Sequence, residues 1–230
     1  SVHDVASYLK SKTVYADVLA DAKDSILHRG NLEALLKKHV FLELAQLCRF
    51  DSSVGDLFFQ YLVLYNEMKE LLIFLRFYNA GQPKDYALSL PEFFHNHTPV
   101  DLFRLPDVQN FDDILNVLTG SRLKAIVSPF RPQEEGQPID YSMLESSLMK
   151  YLYASLFELA SGSLSKEAAN GMKELFGTRA DLYNLCLIWR EKRNFDPDPA
   201  IIRTQFLPFG YKLTQKQLAE LADCREAGEA

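Results

Sequence analysis

The fold is decided by the stretch Asp181-Leu-Tyr-Asn184-Leu-Cys-Leu-Ile-Trp189-Arg190-Glu-Lys192, which is apolar without interruption between Asn184 and Arg190. On a helix these apolar side chains point in every direction, which is typical of a buried helix. The run is far shorter than the roughly 20 apolar residues that cross a membrane, so it predicts the middle of a helical bundle. Asp181, Asn184, Arg190 and Lys192 then lie at the ends of the buried run, where we expect them to meet other helices or another protein.

A second copy of this pattern occurs upstream, in Glu67-Met-Lys-Glu70-Leu-Leu-Ile-Phe-Leu-Arg76. Glu67 matches Asp181, and Arg76 matches Arg190 at the same interval. The flanks repeat in the same order, with an amphipathic helix before each apolar run and a Leu-Pro pair after it, at Pro91 and at Pro208. Repeated landmarks in one order predict an internal duplication of about a hundred residues.

The linker between the two copies is predicted at 128–138, where three prolines and a glycine interrupt the apolar pattern. We therefore expect a first helical repeat domain at 1–127 and a second at 139–230. No stretch alternates polar and apolar residues with a period of two, so the chain is predicted to be all-α. Gly177 is expected to end an amphipathic helix just before the Asp181 run.

The duplicated unit, together with Phe206-Leu207-Pro208-Phe209-Gly210-Tyr211-Lys212-Leu213, resembles the AC39-like family of V/A-type ATPase subunits. This family comprises the C-type subunit of bacterial and archaeal enzymes and its d-type counterpart in the eukaryotic vacuolar ATPase. The resemblance runs from about Tyr8 to Leu221. It implies tandem helical repeats that form part of a funnel-shaped array of three domains. This chain starts at Ser1 without a methionine and ends after two repeats, so we expect a fragment or a short member, with a third repeat to follow.

The resemblance also implies a function. It implies a non-catalytic central-stalk adaptor of a rotary ATPase, which links the rotating shaft to the membrane rotor ring and passes torque for hydrogen-ion or other ion transport or for ATP synthesis. Its partners would be central-stalk and rotor-ring subunits, and it would be cytoplasmic and peripheral to the membrane, held there by those partners. The alternative is an α-helical repeat scaffold that binds some other cytoplasmic protein. The candidate partner-interface or repeat-motif residues are Glu67, Arg76, Asp181, Asn184, Arg190, Lys192, Phe209 and Tyr211.

Two interpretations of Arg76 and Arg190 remain open. Each could form an ion pair within the chain or stabilise a helix C-terminus, where a cation is favoured. The resemblance implies instead that the two arginines and Lys192 line a cavity and meet acidic groups on a shaft. Glu33 and Glu145, which match each other in the two copies, are expected to be solvated residues near helix starts. An exposed apolar patch is also expected near 206–221, where a third repeat would dock.

Composition argues against other classes of protein. A net charge of −6 does not favour nucleic-acid binding, which depends on clustered Lys and Arg. Three scattered cysteines form neither a disulfide framework nor a zinc site, and no signal peptide is recognised. No Gly-rich phosphate loop or nucleophile motif is present, so we expect no nucleotide, no cofactor and no catalysis. His95-Asn-His97 supplies less than half of a metal site, and no metal is expected.

Overall fold

The computed structural model describes residues 1–20, 29–50, 55–90, 92–134, 136–195 and 197–224. Within these ranges the chain forms α-helices and short 3-10 helices and no strand, which confirms the predicted all-α class. The 3-10 helices span Pro83–Ser89, Glu92–His97, Leu102–Asp107 and Ser128–Phe130. The α-helices are α1 Val2–Lys12, α2 Arg29–Phe50, α3 Gly55–Asn79, α4 Phe111–Val117, α5 Leu123–Val127, α6 Tyr141–Ser163, α7 Lys166–Asn194, α8 Pro199–Thr204 and α9 Gln215–Asp223.

The chain divides into two compact units, Ser1–Ser121 and Arg122–Ala230. The division lies upstream of the linker predicted at 128–138, because α5 packs against α6 of the second unit. Pro91, one landmark of the predicted duplication, lies outside the described residues. None of the described helices combines the length and hydropathy that a membrane crossing requires.

In the first unit, α3 is the most deeply buried helix. Leu71, Phe74 and Leu75 are completely or almost completely buried, against α2 and the 3-10 helix Pro83–Ser89. The helix ends at Asn79, and Gly81 adopts a positive φ of 72° in the turn that follows. The prediction of a helix buried on every side is confirmed for the apolar run of α3.

In the second unit, α7 is the longest described helix and differs from the prediction in two ways. It is continuous for 29 residues, so Gly177 lies inside it and does not end it. Its apolar run is buried on one side only: Leu187 and Ile188 lie in the core, whereas Cys186 is exposed and Trp189 is 49% exposed. The physical reason is that α6, α8 and α9 cover a single side of α7. The prediction that this run is buried all round is therefore wrong.

Candidate functional site

Asp181 holds a downstream loop against the middle of α7. Its side chain is buried, and Oδ2 accepts hydrogen bonds from the backbone N–H groups of Tyr211 (3.2 Å), Lys212 (2.7 Å) and Leu213 (3.3 Å). Hydrogen bonds to an ionised carboxylate are stronger than those between neutral groups. One side chain therefore fixes three consecutive peptide groups of the 211–213 turn.

Asn184, three residues further along α7, holds the same loop at Leu207. Its Nδ2 donates to the Leu207 carbonyl (3.0 Å), and its Oδ1 accepts from the Leu207 N–H (2.8 Å). Gln215 Nε2 also donates to that carbonyl, at 3.1 Å. Residues three apart on a helix share a face. Asp181 and Asn184 together form what we call the α7 clamp, which holds residues 207–213.

Gly177 and Phe209 complete the packing of this loop. A Cβ on Gly177 would lie 2.9 Å from the Cβ of Tyr211, which no ordinary contact allows, so the glycine permits a close approach of loop to helix. The Phe209 ring stacks on Phe157 with a centroid distance of 5.0 Å and an interplanar angle of 8°, and on Tyr153 at 6.2 Å. Four of the predicted site residues therefore lie in one cluster: Asp181, Asn184, Phe209 and Tyr211.

Two glycines of α7 allow a matched test of this close approach. Gly171→Ala has open space around its Cβ, so we expect it to stabilise the chain by about 0.5–1 kcal/mol through helix propensity. Gly177→Ala should instead destabilise it by about 1–2 kcal/mol, because the added methyl displaces the loop at Tyr211. Urea denaturation of both variants measures the difference. Equal stabilisation by both substitutions would contradict the close packing of the loop on α7.

Arg190 and Lys192 have partners within the second unit. The Arg190 guanidinium donates to Glu145 Oε2 (2.9 Å) and lies 3.4 Å from both Ser142 Oγ and Glu191 Oε1. Burial disfavours its charge, but the hydrogen bond and charge of Glu145 outweigh this and raise the pKa of Arg190. Lys192 Nζ donates to the Cys224 carbonyl. The geometry around Arg190 is that of the intramolecular ion pair, the first of its two interpretations.

In the first unit, Glu67 occupies a position similar to that of Asp181. It is buried in α3 and accepts hydrogen bonds from Thr98 Oγ1 and Ser121 Oγ, both at 2.7 Å. Thr98 lies 31 residues after Glu67, and Lys212 lies 31 residues after Asp181. Each of the two matched carboxylates therefore holds a segment at the same distance along the chain. Arg76 lies exposed in the last turn of α3, where a cation is favoured by the helix dipole.

Glu70, one turn after Glu67, is a buried carboxyl that accepts a hydrogen bond from the Tyr86 hydroxyl (3.1 Å). Burial raises the pKa of Glu70, although the Tyr86 hydrogen bond and nearby lysines oppose the shift. The same burial, together with the charge of Glu70, raises the pKa of Tyr86. The folded state thus disfavours ionised Glu70.

A pH-dependent gain in stability is expected from Glu70→Gln. Because the pKa of Glu70 is higher in the folded state, its contribution to stability is present below the ordinary carboxyl pKa and is lost as the pH rises through the folded value. The variant should therefore be more stable than the wild type at neutral pH, and the gain should shrink towards pH 4. Denaturation midpoints of both proteins, measured between pH 4 and neutral pH, test this expected gain. The control is Asp85→Asn, which changes an exposed carboxyl beside Tyr86 and should not raise the stability. A change in stability on Glu70→Gln that is the same at every pH would contradict the prediction.

Two expectations for the surface of the second unit are wrong. Glu145 lies near the start of α6, as expected, but it is not solvated, because its side chain is 15% exposed and forms the ion pair with Arg190. The exposed apolar patch expected near 206–221 is also wrong, because Phe206, Leu207 and Leu218 are buried. The shared Leu-Glu pattern at Glu33 and Glu145 in the two copies was a signal, but it did not identify Arg190 as the partner of Glu145.

The histidine pair serves aromatic packing. His95 contacts the Phe103 ring at 4.5 Å, and His97 contacts those of Phe41 at 5.1 Å and Phe59 at 6.1 Å. Among the described residues, no three His, Cys, Asp or Glu side chains lie close enough to share a metal ion.

These features define a class: an all-α protein of two compact units, in which buried carboxylates on long central helices hold downstream segments in place. The family model of the ATP synthase (C/AC39) subunit matches residues 1–230, so the chain belongs to that family and is one of the subunits of a V/A-type ATPase. No curated protein matches the chain.

Proposed function

We propose that the chain is the non-catalytic central-stalk adaptor of its ATPase, which links the rotating shaft to the membrane rotor ring and passes torque between them. The observation that carries the proposal is the match of the C/AC39 family over all 230 residues. In this role the chain works on the cytoplasmic side, peripheral to the membrane, and is held there by central-stalk and rotor-ring subunits. It needs no nucleotide, cofactor or metal of its own.

The internal contacts support the proposal because a body that passes torque has to resist deformation. In the second unit, the α7 clamp holds the 207–213 loop through five hydrogen bonds. In the first unit, Glu67 joins α3 to two downstream segments. Cross-links of this kind raise the free energy of local opening, so each unit moves as one piece.

We also propose that the two units arose by duplication and form part of a funnel-shaped array. The equal separation of Glu67 from Thr98 and of Asp181 from Lys212 supports the duplication. The repeat-motif residues that shape the partner-facing body are then Glu67, Arg76, Asp181, Asn184, Arg190, Lys192, Phe209 and Tyr211.

Co-purification tests the adaptor role. The tagged full chain, expressed in its own cells and isolated from detergent-solubilised membranes, should bring down central-stalk and rotor-ring subunits identified by mass spectrometry. The Asp181→Ala chain, in which the loop loses its clamp, should recover less of both. Recovery of cytoplasmic proteins without any ATPase subunit would favour the general helical scaffold and contradict the adaptor role.

A further inference from the structure

The exposed side of α7 carries apolar side chains in a regular line. Leu175, Leu182 and Trp189 follow one another at intervals of seven residues and are 65%, 58% and 49% exposed. The exposed Cys186 lies between the last two. Residues seven apart lie almost above one another on a helix, at two turns' separation. We call Leu175, Leu182, Cys186 and Trp189 the α7 seam; α6, α8 and α9 pack against α7 elsewhere and leave it uncovered.

The matching positions of the first copy are buried. Because Glu67 matches Asp181 and Arg76 matches Arg190, Leu182, Cys186 and Trp189 correspond to Met68, Leu72 and Leu75, which are 3%, 9% and 0% exposed. The first unit covers this face of α3 with its own elements, whereas the corresponding face of α7 in the second unit is exposed to solvent. Contiguous exposed apolar side chains of this kind mark interaction sites.

Charge indicates what covers the seam. At its C-terminal end, the exposed Arg193 places its guanidinium 4.8 Å from the centre of the Trp189 ring. No carboxylate occurs among the residues that share this face, at positions 175, 178, 179, 182, 186, 189 and 193, although the whole chain has a net charge of −6. A second copy of the chain would bring another Arg193 and no carboxylate to the same line. The complementary partner therefore carries acidic residues.

The spacing indicates the partner's shape. Apolar side chains repeated every seven residues along a helix can pack between the side chains of a second α-helix. Trp and Arg are among the side chains that most often carry the binding energy of an interface. We propose that the α7 seam docks an α-helix of a neighbouring ATPase subunit, with apolar residues at seven-residue spacing flanked by carboxylates. This inference rests on the proposed function, since it takes the partner from the assembled complex.

Alkylation of Cys186 tests whether the seam is covered. N-ethylmaleimide should modify Cys186 readily in the isolated full chain, and about tenfold or more slowly in the assembled complex, as mass spectrometry of the Cys186 peptide would measure. If Cys186 is alkylated at the same rate in the isolated chain and in a complex that contains the ATPase subunits, the proposal that the α7 seam is covered fails, and the adaptor role stays intact. If no ATPase subunit co-purifies, the adaptor role and the seam both fail.

Substitutions test the chemistry of the partner. Trp189→Ala and Arg193→Glu should each weaken retention of the neighbouring subunit by about tenfold or more, and the Arg193→Glu loss should shrink at high salt. Lys173→Glu, an exposed charge change on α7 away from the seam, should leave retention unchanged. Thermal unfolding of each isolated variant confirms that it folds. Retention of the partner by both seam variants, or self-association of the isolated chain that Trp189→Ala abolishes, would overturn the proposal.

Discussion

Asp181→Ala is expected to lower the free energy of unfolding by about 2–4 kcal/mol. The substitution leaves the backbone N–H groups of Tyr211, Lys212 and Leu213, in a partly exposed turn of the second unit, without their acceptor. Hydrogen bonds to a charged group contribute more than neutral ones, and three of them are lost together. The loop they hold also carries Phe209, so its stacking on Phe157 weakens with it.

Equilibrium denaturation followed by tryptophan fluorescence measures this loss, because Trp189 is the only tryptophan and lies on the same helix. Leu182→Ala is the matched control at the neighbouring, exposed position, and we expect it to cost less than about 1 kcal/mol. A loss at Asp181 no larger than that at Leu182 would mean that the α7 clamp does not hold the second unit together.

Arg190→Glu is expected to lower the free energy of unfolding by about 2–3 kcal/mol. The substitution removes the ion pair between Arg190 and Glu145. It also places a third carboxylate next to those of Glu145 and Glu191. Because the Arg190 side chain is 36% exposed, solvent screens part of the repulsion, and the loss stays below that of a fully buried pair.

The reversed pair Glu145→Arg with Arg190→Glu separates the two interpretations of Arg190. If Arg190 serves the fold, the double variant should recover much of the lost stability, as a double-mutant cycle would measure. A destabilised Arg190→Glu chain that the reversed pair rescues identifies a structural ion pair. If Arg190→Glu leaves stability unchanged but uncouples ATP hydrolysis from ion movement in the intact complex, Arg190 acts on a partner instead.

The sequence predicted the all-α class and the central helices because uninterrupted apolar runs and the absence of period-two alternation are local signals. It could not predict which sides of those helices are covered. The apolar runs of α3 and α7 have the same pattern, yet Leu72 and Leu75 are buried while Cys186 and Trp189 are exposed. The difference arises from the elements that pack beside each helix, and a pattern within one helix carries no information about them.

The candidate site shows the same limit. Asp181 and Asn184 were selected by their place at the end of the apolar run and by the family resemblance, but their partners are backbone groups more than twenty residues away. Backbone groups have no signature in a sequence, so the clamp could not be predicted. Glu145 and Arg190 lie 45 residues apart in the sequence, so their ion pair could not be predicted either. Gly177 was expected to end a helix because glycine commonly does so, whereas here it makes room for the loop.

The number of ions moved per ATP hydrolysed, measured in membrane vesicles with and without the chain, tests the adaptor role most directly. Vesicles that lack the chain should move no ions in response to ATP, and adding back the purified full chain should restore transport in proportion to the amount of chain bound. An Asp181→Ala chain should restore less. Unchanged transport per ATP in vesicles that lack the chain would contradict the adaptor role.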